Sequence, residues 1–255
     1  VAHLEAGLRS FDRTMPEEIN RVVTDHVSSI LFVTEESGRD NLEREGVPGD
    51  RIHFVGNTMI DTLAALLPAA EKRWTEVSRT MDLCAGDGGD RDFVLVTLHR
   101  PSNVDDPVVL EEVITGLDRV SGDLPVIFPV HPRTREKITS LGERRFTGRL
   151  CLTEPLGYLD FLALTAHASL VITDSGGVQE ETTWLGVPCL TARPNTERPV
   201  TISGGTNRLI ESSAEVILRE ARLGLSRKGR KPCRPDFWDG HAAERVVRVL
   251  LDPLL

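Results

Sequence analysis

Short apolar runs alternate with helix-forming segments along most of the 255 residues. That alternation constrains the fold more than any other feature, because strands joined by helical crossovers pair in parallel and need helices on both faces. The opening stretch Val1–Leu8 reads as a strand. Pro16, Glu17 and Glu18 suit the first turn of a helix that runs to about Ser29. Ile30–Val33 has the look of a buried strand, Glu36 to Glu45 of a helix stopped by Gly46, Arg51–Val55 of another strand, and Thr58 to about Val77 of a long helix.

The glycine- and aspartate-dense run 85–90 breaks the pattern and marks the best domain boundary. Beyond it the alternation restarts, with strands at 93–98, 126–130, 150–153, 170–173 and 188–191, and helices near 107–120, 133–141, 157–167 and 177–185. A last helix, Ala242 to about Leu251, follows the loop Phe237-Trp238-Asp239-Gly240. Because the chain opens on Val1 directly in a strand, it is expected to enter in mid-domain.

A formal net charge of −9 argues against a nucleic acid or an anionic membrane as partner, since both reward surplus Lys and Arg. The four cysteines, Cys84, Cys151, Cys189 and Cys233, are far apart without a C-x-x-C pair, so they read as reduced thiols rather than a zinc or redox motif. No apolar run reaches the length of a membrane span and no signal peptide is recognisable, which gives a cytoplasmic location as the default expectation.

Ligands of open parallel sheets bind beyond the carboxyl ends of the strands, so polar residues just after strands are the candidates. Thr173-Asp174-Ser175-Gly176-Gly177-Val178-Gln179-Glu180-Glu181 follows an apolar strand and opens a helix. Gly176 and Gly177 let the backbone approach a phosphate, Ser175 offers a hydroxyl, and Glu181 lies where a carboxylate reaches ribose hydroxyls. The local pattern leaves open whether Ser175 only caps the helix. His99-Arg100 and His131 each end an apolar strand, and two imidazoles at equivalent positions favour ligand contact over metal binding. Arg198, in Thr196-Glu197-Arg198-Pro199, suits a phosphate or an organised loop. Glu17 and Arg21 stand one helical turn apart, and with Glu5 they read either as surface charges or as acid–base machinery.

Seven stretches occur in the order seen in one known family: His3-Leu4-Glu5-Ala6-Gly7-Leu8-Arg9-Ser10, Met15-Pro16-Glu17-Glu18-Ile19-Asn20-Arg21, Gly56-Asn57-Thr58-Met59-Ile60-Asp61, Thr97-Leu98-His99-Arg100, Pro129-Val130-His131-Pro132, Asp174 to Glu181, and Thr196-Glu197-Arg198-Pro199. The chain resembles the non-hydrolysing UDP-N-acetylglucosamine 2-epimerases. The resemblance implies an α/β fold of two Rossmann-like domains of glycosyltransferase-B type, the first truncated at its N-terminus. Residues 1–84 would close the first domain, 91–235 would form the second, UDP-binding domain, and 236–255 a helix crossing back.

It also implies epimerisation at C2 of UDP-N-acetylglucosamine to UDP-N-acetylmannosamine by elimination and re-addition of UDP. Glu5, Glu17 and His99 match the catalytic positions. Arg21, Arg100, His131, Ser175, Gly176, Gly177, Glu181 and Arg198 match substrate-binding ones, with Arg100 and His131 in a region where some members bind a second substrate molecule. No metal and no cofactor are implied, and the expected partners are a UDP-sugar and a second copy of the chain in a homodimer. Two positions depart from the family pattern: Ser102 stands near a usual glutamate, and Val200 where an acidic residue is common. The competing readings are a 2-epimerase of a UDP-linked diacetamido-uronic acid and a UDP-sugar-binding fragment without activity.

Overall fold

A computed structural model describes residues 1–84, 91–141, 146–226 and 234–252. The boundary expected at 85–90 and Cys233 lie outside these. The chain divides into two compact units, Val1–Ala65 with Asn195–Gly205 and Cys233–Leu255, and Leu66–Pro194 with Thr206–Pro232.

The first unit contains β1 (Ala2–Ala6), α1 (Pro16–Val27), β2 (Ile30–Val33), α2 (Glu36–Arg44), β3 (Ile52–Phe54) and the first turns of α3 (Thr58–Thr80), the rest of which belongs to the second unit. The second unit continues with β4 (Val94–Thr97), the short α4 (Pro101–Val104), α5 (Pro107–Ser121), β5 (Val126–Pro129), α6 (Pro132–Ser140), β6 (Leu150–Thr153), α7 (Tyr158–His167), β7 (Leu170–Thr173), α8 (Gly176–Leu185) and β8 (Cys189–Ala192). The chain then gives α9 (Val200–Ser203) to the first unit, β9 (Asn207–Ile210) and α10 (Ala214–Leu225) to the second, and α11 (Ala242–Leu250) to the first.

Both sheets are parallel. The first is ordered β1-β2-β3, with Ala6, Leu31, Val33, Leu42 and Ile52 packed together under it. On its other face Phe32 and Val55 meet Val246 of α11, and Trp238 is buried with its indole N–H donating to the Thr34 carbonyl at 2.9 Å. The second is ordered β6-β5-β4-β7-β8-β9, so the strand order reverses between β4 and β7. Its central strands are apolar runs without a polar face, since Val94, Leu95, Val96, Leu170, Val171 and Ile172 are all fully buried between helices. The expected α/β class with Rossmann-like parallel sheets is what the chain adopts.

The sequence reading omitted β9 and α10, which complete the second sheet and cover β7 and β8. The segment Asn195–Gly205 packs in the first unit. Helix α1 inverts the usual arrangement: Ile19, Val23 and Val27, spaced by four, are exposed, and the residues it buries are Glu18 and Asp25. A helix that turns its carboxylates inward needs cations and N–H donors there to hold them. Among the described residues no helix is long and apolar enough to cross a membrane.

Candidate functional site

Two clusters of polar residues collect the sequence candidates, one in each unit. In the first unit, Glu5, the last residue but one of β1, has φ at +62°, a left-handed conformation that side chains rarely adopt. The ladder slips there, pairing Leu4 with Phe32 and Ala6 with Val33, so Glu5 is the extra residue of a bulge. Its carboxylate lies 3.6 Å from the Arg198 guanidinium. Arg198 pairs in turn with Glu197 at 2.5 Å, Glu197 with Arg21 at 3.3 Å, and Arg21 with Glu18 at 3.3 Å. Alternating charges thus run Glu18–Arg21–Glu197–Arg198–Glu5. Glu18 also accepts from the Ser10 N–H and hydroxyl and from the Phe11 N–H, at 2.9 to 3.0 Å, which explains its burial.

This corrects one expectation. Arg21 reaches Glu18 and Glu197, not Glu17, and the Glu17 carboxylate is exposed without a partner among the described residues. Spacing of four allows an ion pair but does not select it over the spacing of three that Glu18 offers. Glu35, at the N-cap of α2, belongs to the same neighbourhood: burial pushes its carboxyl above the usual range, and it accepts from the Ser37 hydroxyl at 2.5 Å and from the Val200 N–H. Arg198 therefore belongs to a loop fastened within the first unit.

In the second unit the candidates gather where the strand order reverses, the place open α/β sheets use for ligands. Asp174 follows β7 directly and is fully buried. It accepts from the His99 N–H at 3.0 Å, the Arg100 N–H at 2.8 Å, the Asn103 amide at 3.0 Å and the His99 Nδ1 at 3.1 Å. Burial would raise the Asp174 pKa, but His99, Asn103 and the Arg100 N–H outweigh it and hold the carboxyl below its usual range. The hydrogen bond to Asp174 raises the His99 pKa above that of an ordinary imidazole. With Nδ1 on Asp174, His99 keeps Nε2 as its exposed donor.

Ser175 occupies the N-cap position of α8 with extended dihedrals, yet its hydroxyl makes no capping bond. The first N–H groups of Gly176 and Gly177 therefore remain available at the positive end of that helix. Glu181 is buried, its carboxyl pushed upward by desolvation, and it accepts from the Tyr158 hydroxyl at 3.0 Å; burial and the Glu181 charge raise the Tyr158 pKa in return. His131 caps α6 from the end of β5 and lines, with His99, Pro101, Asp105 and Arg133, a pocket of about 210 Å³. The two imidazoles of neighbouring strands thus share one pocket. Among the described residues no group of His, Cys, Asp and Glu is arranged to hold a metal.

Asp174, Glu18 and Asp25 went unassigned at the level of sequence. Each is a buried carboxylate whose partners lie in other elements, apart from the Glu18–Arg21 contact inside α1.

Residues 1–251 match the profile of UDP-N-acetylglucosamine 2-epimerases. The chain belongs to the UDP-N-acetylglucosamine 2-epimerase family. A UDP-N-acetylglucosamine 2-epimerase of Methanocaldococcus jannaschii is 42% identical over 255 residues, covering 98% of this chain and 68% of that protein. A crystal structure of that epimerase in complex with UDP-GlcNAc and UDP superposes with a TM-score of 0.85 over 98% of this chain and 68% of its own. The UDP-2,3-diacetamido-2,3-dideoxy-D-glucuronate 2-epimerase of Pseudomonas aeruginosa is 39% identical over 256 residues, 98% of this chain and 67% of the relative. The epimerase family thus includes relatives of similar identity that differ in the sugar they are named for.

Proposed function

We propose that this epimerase inverts C2 of UDP-N-acetylglucosamine, giving UDP-N-acetylmannosamine, by elimination and re-addition of UDP. The observation that carries the reading is the Asp174–His99 pair beside the uncapped start of α8, at the strand-order reversal, in a chain of this family. An imidazole whose charged form Asp174 favours, together with helix N-terminal N–H groups, suits a departing diphosphate, which must be stabilised as charge develops and held for return. Ser175, Gly176, Gly177 and Arg100 take the phosphates in this reading, Glu181 the ribose, and His131 the neighbouring pocket.

The C2 proton of the sugar is too weakly acidic for simple abstraction. In the proposed step a carboxylate takes that proton, the C2–H electron pair becomes the C1=C2 bond of a 2-acetamidoglucal, and the C1–O bond to UDP breaks with its electrons on the leaving oxygen. UDP then adds back at C1 while a proton reaches C2 from the opposite face. Glu5 and Glu17 are the proposed acid–base pair, with Arg21 and Arg198 setting the charge around them. Glu5 is favoured by its strained backbone and its contact with Arg198, Glu17 by its exposed, uncommitted carboxylate.

The Pseudomonas relative favours a second reading, in which the sugar is a UDP-linked diacetamido-uronate. Incubating the complete protein with each UDP-sugar separates them. Turnover of UDP-N-acetylglucosamine supports the first reading; turnover of the uronate alone overturns it. A homodimer belongs to the same proposal and is read from the mass in light scattering.

A further inference from the structure

We infer that Asp25 is a positioning residue that fixes the bulged, left-handed backbone of Glu5 and so aims its carboxylate. The inference rests on the reading of Glu5 as an acid–base group. Asp25, on the last turns of α1, is fully buried, and its two oxygens hold residues on both sides of Glu5. Oδ1 meets His3 Nδ1 at 2.6 Å, two residues before Glu5. Oδ2 accepts from the Gly7 N–H at 3.1 Å, two residues after it, and from Arg9 Nη1 at 2.7 Å.

The far side of this bracket is itself pinned. Arg9 is gripped by both oxygens of Glu45 at 2.8 Å, and the Gly7 carbonyl accepts from Asn41 at 2.8 Å. Gly7 has φ at +78° and comes so close to α2 that a Cβ would stand 2.2 Å from the Gly38 carbonyl oxygen. Residues 3, 7 and 9 are thereby fixed, and the slip in the ladder has to be absorbed between Leu4 and Ala6, at Glu5. A strand running through without the bulge would shift the side chains after it by one position and turn them to the other face. Asp25 thus acts on Glu5 through the backbone, without touching its carboxylate. The same helix carries Glu17 and Arg21, so α1 sets one proposed acid–base group directly and the other through this bracket.

Asp25→Asn keeps size and shape but puts an amide NH₂ where one of the three donors now points, so at least one of the bracketing bonds is lost. In the complete protein we expect kcat to fall at least about tenfold while KM for the UDP-sugar stays within about threefold, because the nucleotide groups lie in the other unit. The same change introduced into Glu5→Gln should slow the residual turnover no further, since two residues acting through one group do not add. His3→Leu, which removes a single bond of the bracket, should show the same split with a smaller fall. An unchanged kcat in a folded Asp25→Asn, or in His3→Leu where Asp25→Asn does not fold, overturns the inference. So does a multiplicative loss in the double variant. If Glu5→Gln itself retains normal turnover, the reading of Glu5 fails instead.

Discussion

The two units use buried carboxylates in opposite ways. In the second, Asp174 is a single buried acid surrounded by donors from one short stretch, His99 to Asn103, and its effect is to orient and charge one imidazole. In the first, carboxylates and guanidinia alternate over several elements, so that no cation belongs to one acid alone: Arg21 is shared by Glu18 and Glu197, and Arg198 by Glu197 and Glu5. A localised pair suits a fixed charge facing a phosphate. A shared network lets a proton arrive at or leave one member while the others keep the local charge balanced, which is what an acid–base step needs. The contrast supports the proposal that UDP binds in the second unit and that proton transfer occurs in the first.

The comparison breaks most visibly at Glu5 and Glu17. Glu5→Gln or Glu17→Gln in the complete protein should lower kcat by about 10²–10⁴-fold with UDP affinity preserved, measured by coupled assay and calorimetry. Loss of UDP binding instead would merge the two roles. Glu197→Ala should act on stability: removing the bridging acid takes one carboxylate partner from Arg21 and one from Arg198, which keep Glu18 and Glu5, and a cost of about 1–3 kcal/mol is expected in urea unfolding. A cost below about 1 kcal/mol would mean the network is dispensable.

Sharper tests concern the second unit. Because the His99 pKa is raised on folding, its charged form is favoured below the ordinary imidazole value of about 6.5, and that contribution is lost as pH rises through the higher folded value. UDP affinity should weaken over that rise. Asp174→Asn should move the weakening to lower pH and lower the affinity at neutral pH. An unshifted pH profile would remove Asp174 from the account. The smallest effect is expected for Ser175→Ala. Without a capping bond, stability should change by less than about 0.5 kcal/mol, against about 1 kcal/mol for a working cap, while UDP affinity falls a few-fold. The reverse pattern would make Ser175 a helix cap.

These tests bear on what was legible before the structure. Buried apolar strands such as Val94–Val96 and Leu170–Thr173 announce themselves as short apolar runs, and polar residues directly after them point to the ligand end of a parallel sheet. His99 and Ser175 are candidates for that reason. β9 is not legible in this way, because Asn207-Arg208-Leu209-Ile210 begins polar and offers no run to recognise. Helix α1 misleads more deeply: its stripe of Ile19, Val23 and Val27 looks like a core face, yet the buried positions are the carboxylates. Periodicity locates a helix but cannot say which face turns inward when that face is charged. The network around Arg198 depends on a loop about 190 residues away in sequence from Glu5, and no local spacing encodes such a meeting.

Solvent exchange at the sugar carbon tests the division of labour most directly. When the complete protein turns over UDP-N-acetylglucosamine in D₂O, mass spectrometry of the recovered UDP-sugars should show one deuterium at C2, and Glu5→Gln should lose that incorporation while still binding UDP with unchanged affinity. Epimerisation without deuterium uptake, or a Glu5→Gln protein that still exchanges C2, would contradict proton transfer by the first unit.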